Sequence, residues 1–178
     1  RPALPGPVPL FAGRAGRILA CERTSRRGPV SVCRIAVSKT QPASAIIAAH
    51  AAGQLHFGEN YLQEALEKIE QLSDLNLNWH FIGAIQSKTT RPIAENFSWA
   101  HGVANSKIAR RLSEQRPEHL PPLNICLQVN ISGEESKSGI SPDAVMGIAK
   151  ECIHFPGIKL RGLMTIPEYA TDFEQQRI

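Results

Sequence analysis

A chain of 178 residues, 42 % of them hydrophobic, is the size of one globular domain or part of a larger one. It contains no apolar run near the roughly 20 residues that cross a bilayer as a helix. Its net charge of +4 is gathered at the front: six arginines stand against Glu22 in residues 1–30, while 14 basic and 15 acidic side chains follow. A near-neutral body without a basic stripe or interleaved aromatics argues against a nucleic-acid surface.

The opening stretch "RPALPGPVPLFAGRAG" has prolines at positions 2, 5, 7 and 9. Proline removes a donor and disrupts a helix interior, so residues 1–30 are expected to be an extended or disordered Pro/Arg-rich leader. Its arginines resemble an organelle transit peptide, though the prolines spoil the amphipathic helix such a peptide uses. A non-native leader fits equally well, and the segment stays outside the fold argument.

From residue 31 two periodicities alternate. "VCRIAVS" reads as a strand, and Pro42 opens the alanine-rich helix "PASAIIAAHAAG", which Gly53 ends. "QLHFG" is a second strand. Asn60 follows as a helix cap, with Gln63 completing a capping box before the apolar stripe Leu62, Leu66, Ile69. A third unit pairs "NWHFIGAI" with a helix near "RPIAENF", and a fourth pairs "SWAHGV" with "SKIARRLSEQR". The fifth has the long strand "LNICLQVNI" and the helix "SPDAVMGIAKECIH"; a sixth strand, "IKLRGLMTI", precedes "TDFEQQRI", a helix barely begun.

Strands alternating with helices imply parallel pairing and an α/β class. An open doubly wound sheet and a (β/α)8 barrel both satisfy the pattern. No strand is followed by GxGxxG or GxxxxGK[ST], which removes the usual phosphate sites of open sheets and favours a barrel. Barrels of this kind run to about 250 residues, so five to six units make an incomplete one. Four scattered cysteines (21, 33, 126, 152) and six dispersed histidines show no metal spacing and read as the thiols and imidazoles of an intracellular protein.

Polar residues cluster at strand ends: Lys39, Asn60, His80, Asn130 and Ser132, with Met164 beside them. In a barrel those ends form one face. An amine at the mouth, partly desolvated and so with a depressed pKa, is a nucleophile toward an aldehyde. Each position also has a plainer role: Lys39 as a solvated charge, Asn60 as a cap, His80 as a hydrogen-bonded core histidine, Met164 as packing.

The segments "AVSKTQP", "FGENYLQEALEKI", "WHFIGAIQS", "LNICLQVNISGEESKSGI" and "LRGLMTIP" carry a resemblance, in order and spacing, to the pyridoxal-phosphate homeostasis proteins. These are single-domain relatives of the alanine racemase N-terminal barrel, and the likeness covers residues 31–178. It implies a partial barrel that binds pyridoxal 5′-phosphate through a covalent imine to Lys39, with Asn60, His80 and Met164 contacting the cofactor. Lys137 and Gly139 match the "KxG" of the loop after the fifth strand. Gln86 is followed by Ser87, Lys88 and Thr89 where the family has "QxNK", and the acidic first helix is missing. The chain stops at Ile178, before the family's phosphate loops, so it resembles a fragment that holds the phosphate weakly. The implied function is non-enzymatic, cytoplasmic vitamin B6 homeostasis with effects on amino-acid metabolism, in which apo-enzymes accept the cofactor and neither nucleic acid nor membrane takes part. The rival is a racemase or decarboxylase using the same imine. Racemisation by the two-base route needs a second base, and the chain has only Tyr61 and Tyr169 as tyrosines.

Overall fold

The computed structural model describes residues 7–28, 31–131, 138–166 and 172, with side chains of the first helix described from Gly16 onward. The element order is α1 (Pro7–Thr24), β1 (Ala36–Val37), α2 (Ala43–Ala51), β2 (His56–Glu59), α3 (Leu62–Gln71), β3 (Asn78–Phe81), α4 (Thr90–Asn96), β4 (Trp99–Val103), α5 (Ser106–Glu114), β5 (Leu123–Gln128), a 3₁₀ turn (Pro142–Ala144), α6 (Val145–Cys152) and β6 (Ile158–Met164). The strands follow one another in chain order in a single sheet. The pairings β1 with β2, β4 with β5 and β5 with β6 are all parallel. β1 and β6 end the order, so the described strands form an α/β sheet of barrel type that is not closed. The helix expected within "TDFEQQRI" lies outside the described residues, apart from Asp172.

The chain forms two compact units, residues 1–80 and 81–178, and the division falls within β3. The first unit contains the one element that the sequence reading missed. Where an extended or disordered leader was expected, Pro7–Thr24 is helical. Pro7 is the first helical residue and Pro9 the third, and the N–H groups of a helix's first turn have no partner inside it. Proline there costs no hydrogen bond; the argument that prolines forbid a helix applies to the interior only.

α2 begins after Pro42 and ends as its sequence predicts. Gly53 has φ of +87°. Its N–H donates to the His50 carbonyl at 2.8 Å, and the N–H of Gln54 to that of Ala49 at 3.0 Å. This pair of bonds is the Schellman stop, which needs a residue at ease in the left-handed region. The core of this unit is Ala36, Ile46, Ala49, Phe57, Ala65, Leu72 and Trp79.

In the second unit α5 buries Ile108, Ala109 and Leu112, residues three and four apart that share one helix face. They join the buried Ile93, Ala94, Phe97, Ala100, Val103, Leu123, Ile125, Leu127 and Ile158 of the same unit. The Phe81 and Phe97 rings meet edge to face at 5.3 Å. Arg116 donates through Nη1 to the carbonyls of Ala94 and Phe97 and through Nε to that of Pro121. It thereby satisfies carbonyls that the end of α4 leaves open.

Candidate functional site

The register of β1 on β2 pairs Ala36 with Phe57 and Val37 with Gly58. One strand position further, the Ser38 N–H donates to the Gly58 carbonyl at 2.9 Å. Lys39 and Thr40 then form a turn closed by the Gln41 N–H donating to the Ser38 carbonyl at 3.0 Å, and Asn60 sits in the bend after Glu59, so Lys39 and Asn60 follow the C-terminal ends of two adjacent parallel strands. The expectation of a partly desolvated amine is not met: Lys39 is exposed, and Val37 two residues before it is 52 % exposed.

Asn60 is half-buried, yet its Oδ1 is shut off from water and accepts no hydrogen bond among the described residues. It is not a helix cap. α3 starts at Leu62, Tyr61 occupies the cap position, and no side chain caps the end. The expected capping box does not form because Gln63 is exposed and its Nε2 donates to Glu67 Oε1 at 3.2 Å. A buried amide oxygen without a donor is costly, about 1–3 kcal/mol, so Asn60 Oδ1 is open to a donor from outside the described residues.

His80 is buried, with 2 % of its surface exposed. Its Nε2 lies 2.9 Å from Nδ1 of His56, and the ring centroids are 5.2 Å apart. His56 is the first residue of β2 and Asn60 follows that strand's last. The ring of His80 therefore meets the start of β2, whereas Lys39 and Asn60 lie past the ends of β1 and β2. Met164 belongs to the second unit, where it ends β6, half-buried and paired with Gln128. Gly139 has φ of +144°, and a Cβ there would meet the Asn130 nitrogen at 2.7 Å. Only glycine fits where the chain returns to pair Val129 with Ile140. Ser132 and Lys137 lie outside the described residues.

The same strand ends carry residues that the sequence reading passed over. Ser38 Oγ donates to Glu59 Oε1 at 2.6 Å. Lys68 of α3 donates to Glu59 Oε1 at 2.9 Å, to Glu64 Oε1 at 2.6 Å and to the Ser38 carbonyl at 2.7 Å. Glu59 is fully buried and Lys68 is 6 % exposed. The hydrogen bond from Lys68, aided by the N–H of Thr40, holds the Glu64 carboxyl below the ordinary carboxylate range against a smaller opposing effect of desolvation. A signal was present: in "FGEN" the alternation that buries Phe57 also buries Glu59, and a buried carboxylate requires a cation nearby.

Among the described residues no His, Cys, Asp and Glu group has metal-site geometry, and no helix is long and apolar enough to cross a membrane.

The family model for the N-terminal domain of alanine racemase matches residues 23–177. The pyridoxal phosphate homeostasis protein of Pseudomonas aeruginosa is 59 % identical over 154 residues, which cover 86 % of this chain and 67 % of that protein. The protein of the same name from Escherichia coli is 46 % identical over 168 residues, 90 % of this chain and 72 % of its own length. Among solved structures, PipY of Synechococcus elongatus superposes with a TM-score of 0.78 without pyridoxal phosphate and 0.76 with it bound. In both it is 39 % identical, over 92 % of this chain and 75 % of that one. An alanine racemase from Corynebacterium glutamicum, 20 % identical with a TM-score of 0.56, shares the fold. The matched span and these identities establish that the chain belongs to the alanine racemase N-terminal domain family and, within it, to the pyridoxal phosphate homeostasis proteins.

Proposed function

We propose that this chain binds pyridoxal 5′-phosphate through Lys39, holds it and passes it to apo-enzymes, without turning over amino acids, and so takes part in cytoplasmic vitamin B6 homeostasis. The observation that carries this reading is that an exposed primary amine, on Lys39, and an amide oxygen closed to water and without a donor among the described residues, on Asn60, follow the C-terminal ends of adjacent parallel strands. Those groups fit a ligand that brings an aldehyde and a polar ring. Bound pyridoxal phosphate supplies an aldehyde that condenses with an amine, forming a C=N bond and releasing water. Lys39 Nζ is the amine for that imine, and Asn60 Oδ1 orients the polar ring. His80, engaged with His56, supports the strand that borders the site. PipY with the cofactor bound and the shared name of the curated relatives support the assignment of ligand and role.

Absorption spectra of the wild type and Lys39→Ala mixed with excess pyridoxal phosphate test the binding half. The visible imine band should form in the wild type and be lost in the variant. Chiral chromatography after incubation with L-alanine and the cofactor tests the other half; sustained formation of D-alanine would replace the carrier by a racemase.

A further inference from the structure

Two peptide units flank the Lys39 Cα, and a side chain of α3 holds each. The carbonyl of the first, from Ser38, accepts from Lys68 Nζ at 2.7 Å. The N–H of the second, from Thr40, donates to Glu64 Oε1 at 2.6 Å. Peptide units are planar, so a tie to each restrains φ and ψ of Lys39 and with them the direction of its Cα–Cβ bond. Thr40 has φ of +60°, a region that a β-branched residue enters only under constraint. The two ties are one device, because Lys68 also binds Glu64 Oε1 at 2.6 Å and Glu59 Oε1 at 2.9 Å. Glu59 is anchored in turn by the Ser38 hydroxyl.

A buried ion cluster is a poor source of stability, since apolar packing of the same volume does as well or better. Its geometry accounts for its presence better than its energy does. We propose that Glu59, Glu64 and Lys68 form a clamp behind the sheet that aims the Lys39 amine. Lys68 and Glu64 are then positioning residues for the attachment at Lys39, and the inference rests on that attachment. The clamp matters because amine and aldehyde must meet at about 3 Å with aligned orbitals, and a misplacement of about 1 Å costs on the order of 100-fold in rate.

Glu64 is the position to test, because it is half-exposed and its replacement leaves the Glu59–Lys68 pair in place. Glu64→Ala removes the acceptor for the Thr40 N–H, whereas Glu64→Gln keeps an oxygen there. The rate of the imine band on mixing with pyridoxal phosphate should fall about tenfold or more in the alanine variant and recover most of that loss in the glutamine variant. Hydrogen exchange at the Thr40 amide of the cofactor-free protein should quicken in the alanine variant and return toward wild type with glutamine. Equal rates in wild type and Glu64→Ala, or equal losses in both variants, overturn the clamp. If the wild type itself gives no band, the cofactor reading fails and trace acetylation of the cofactor-free protein decides. A changed reactivity at Lys39 relative to the exposed Lys107 in Glu64→Ala upholds the clamp, and an unchanged one overturns it.

Discussion

A buried lysine whose ammonium has three oxygen partners sets the residue-level energetics of the first unit. Lys68 is matched to Glu59, Glu64 and the Ser38 carbonyl. Lys68→Met leaves Glu59 fully buried and uncompensated, and breaking such a pair costs about 3–5 kcal/mol. Denaturant unfolding should show that loss, and Glu59→Gln combined with Lys68→Met should recover much of it. A second consequence concerns pH. The Glu64 carboxyl titrates lower in the fold than in the unfolded chain, chiefly through its hydrogen bond from Lys68. Its contribution to stability is therefore complete above the unfolded value of about 4.3 and is lost as pH falls through the lower folded value. The stability gap between wild type and Glu64→Gln should be wide at neutral pH and close in acid; a gap independent of pH would show that Glu64 is not held as described. Lys39, Asn60 and His80 were legible in the sequence as strand-end polar residues. The partnership of His80 with His56 was not, because nothing local connects side chains 24 positions apart.

At the scale of elements, starts and stops follow local chemistry closely. Asn105 caps α5 by accepting from the Ile108 N–H at 2.9 Å, and Asn105→Ala should cost about 1 kcal/mol. The turn into β6 is tighter. The Gly157 N–H donates to Ser113 Oγ at 2.9 Å, its carbonyl accepts from the Leu123 N–H at 3.0 Å, and a Cβ would meet the Ser113 carbonyl oxygen at 2.2 Å. Gly157→Ala must push α5 away from that turn, so it should exceed the Asn105→Ala loss, in the range of about 1–3 kcal/mol for overpacking. Chemical denaturation of both variants checks the order, and a milder glycine variant would contradict the packing. The strand and helix sequence from β1 to β6 was readable because hydrophobic alternation and helix punctuation agree there. The strand at "VCRIAVS" nonetheless shortened to Ala36–Val37, since Val32 and Cys33 are exposed and make no ladder. α1 was misread for a different reason: the prolines were counted without asking which turn they occupied.

For the whole molecule, the parallel order and the family could be read from the alternating elements and five spaced segments, whereas of the ion cluster behind Lys39 only the burial of Glu59 was legible, because its partner Lys68 also binds the Ser38 carbonyl 30 positions away. The distribution of thiols gives a global check on the fold. Cys21 and Cys33 are exposed, Cys126 and Cys152 are buried, and burial together with the nearby Glu151 pushes the Cys152 thiol up to about 11. A thiol reagent at pH 8 should therefore modify Cys21 and Cys33 in the folded protein and reach Cys126 and Cys152 only on unfolding; early loss of Cys152 would contradict the packing of α6. The central claim, that Lys39 is the attachment point of pyridoxal phosphate, has a more direct test. The protein is saturated with the cofactor, reduced with borohydride, digested and sequenced by mass spectrometry. The account predicts a pyridoxyl-phosphate adduct on Lys39 well in excess of any other lysine, and an adduct centred on Lys88 or Lys137 with Lys39 unmodified would contradict it.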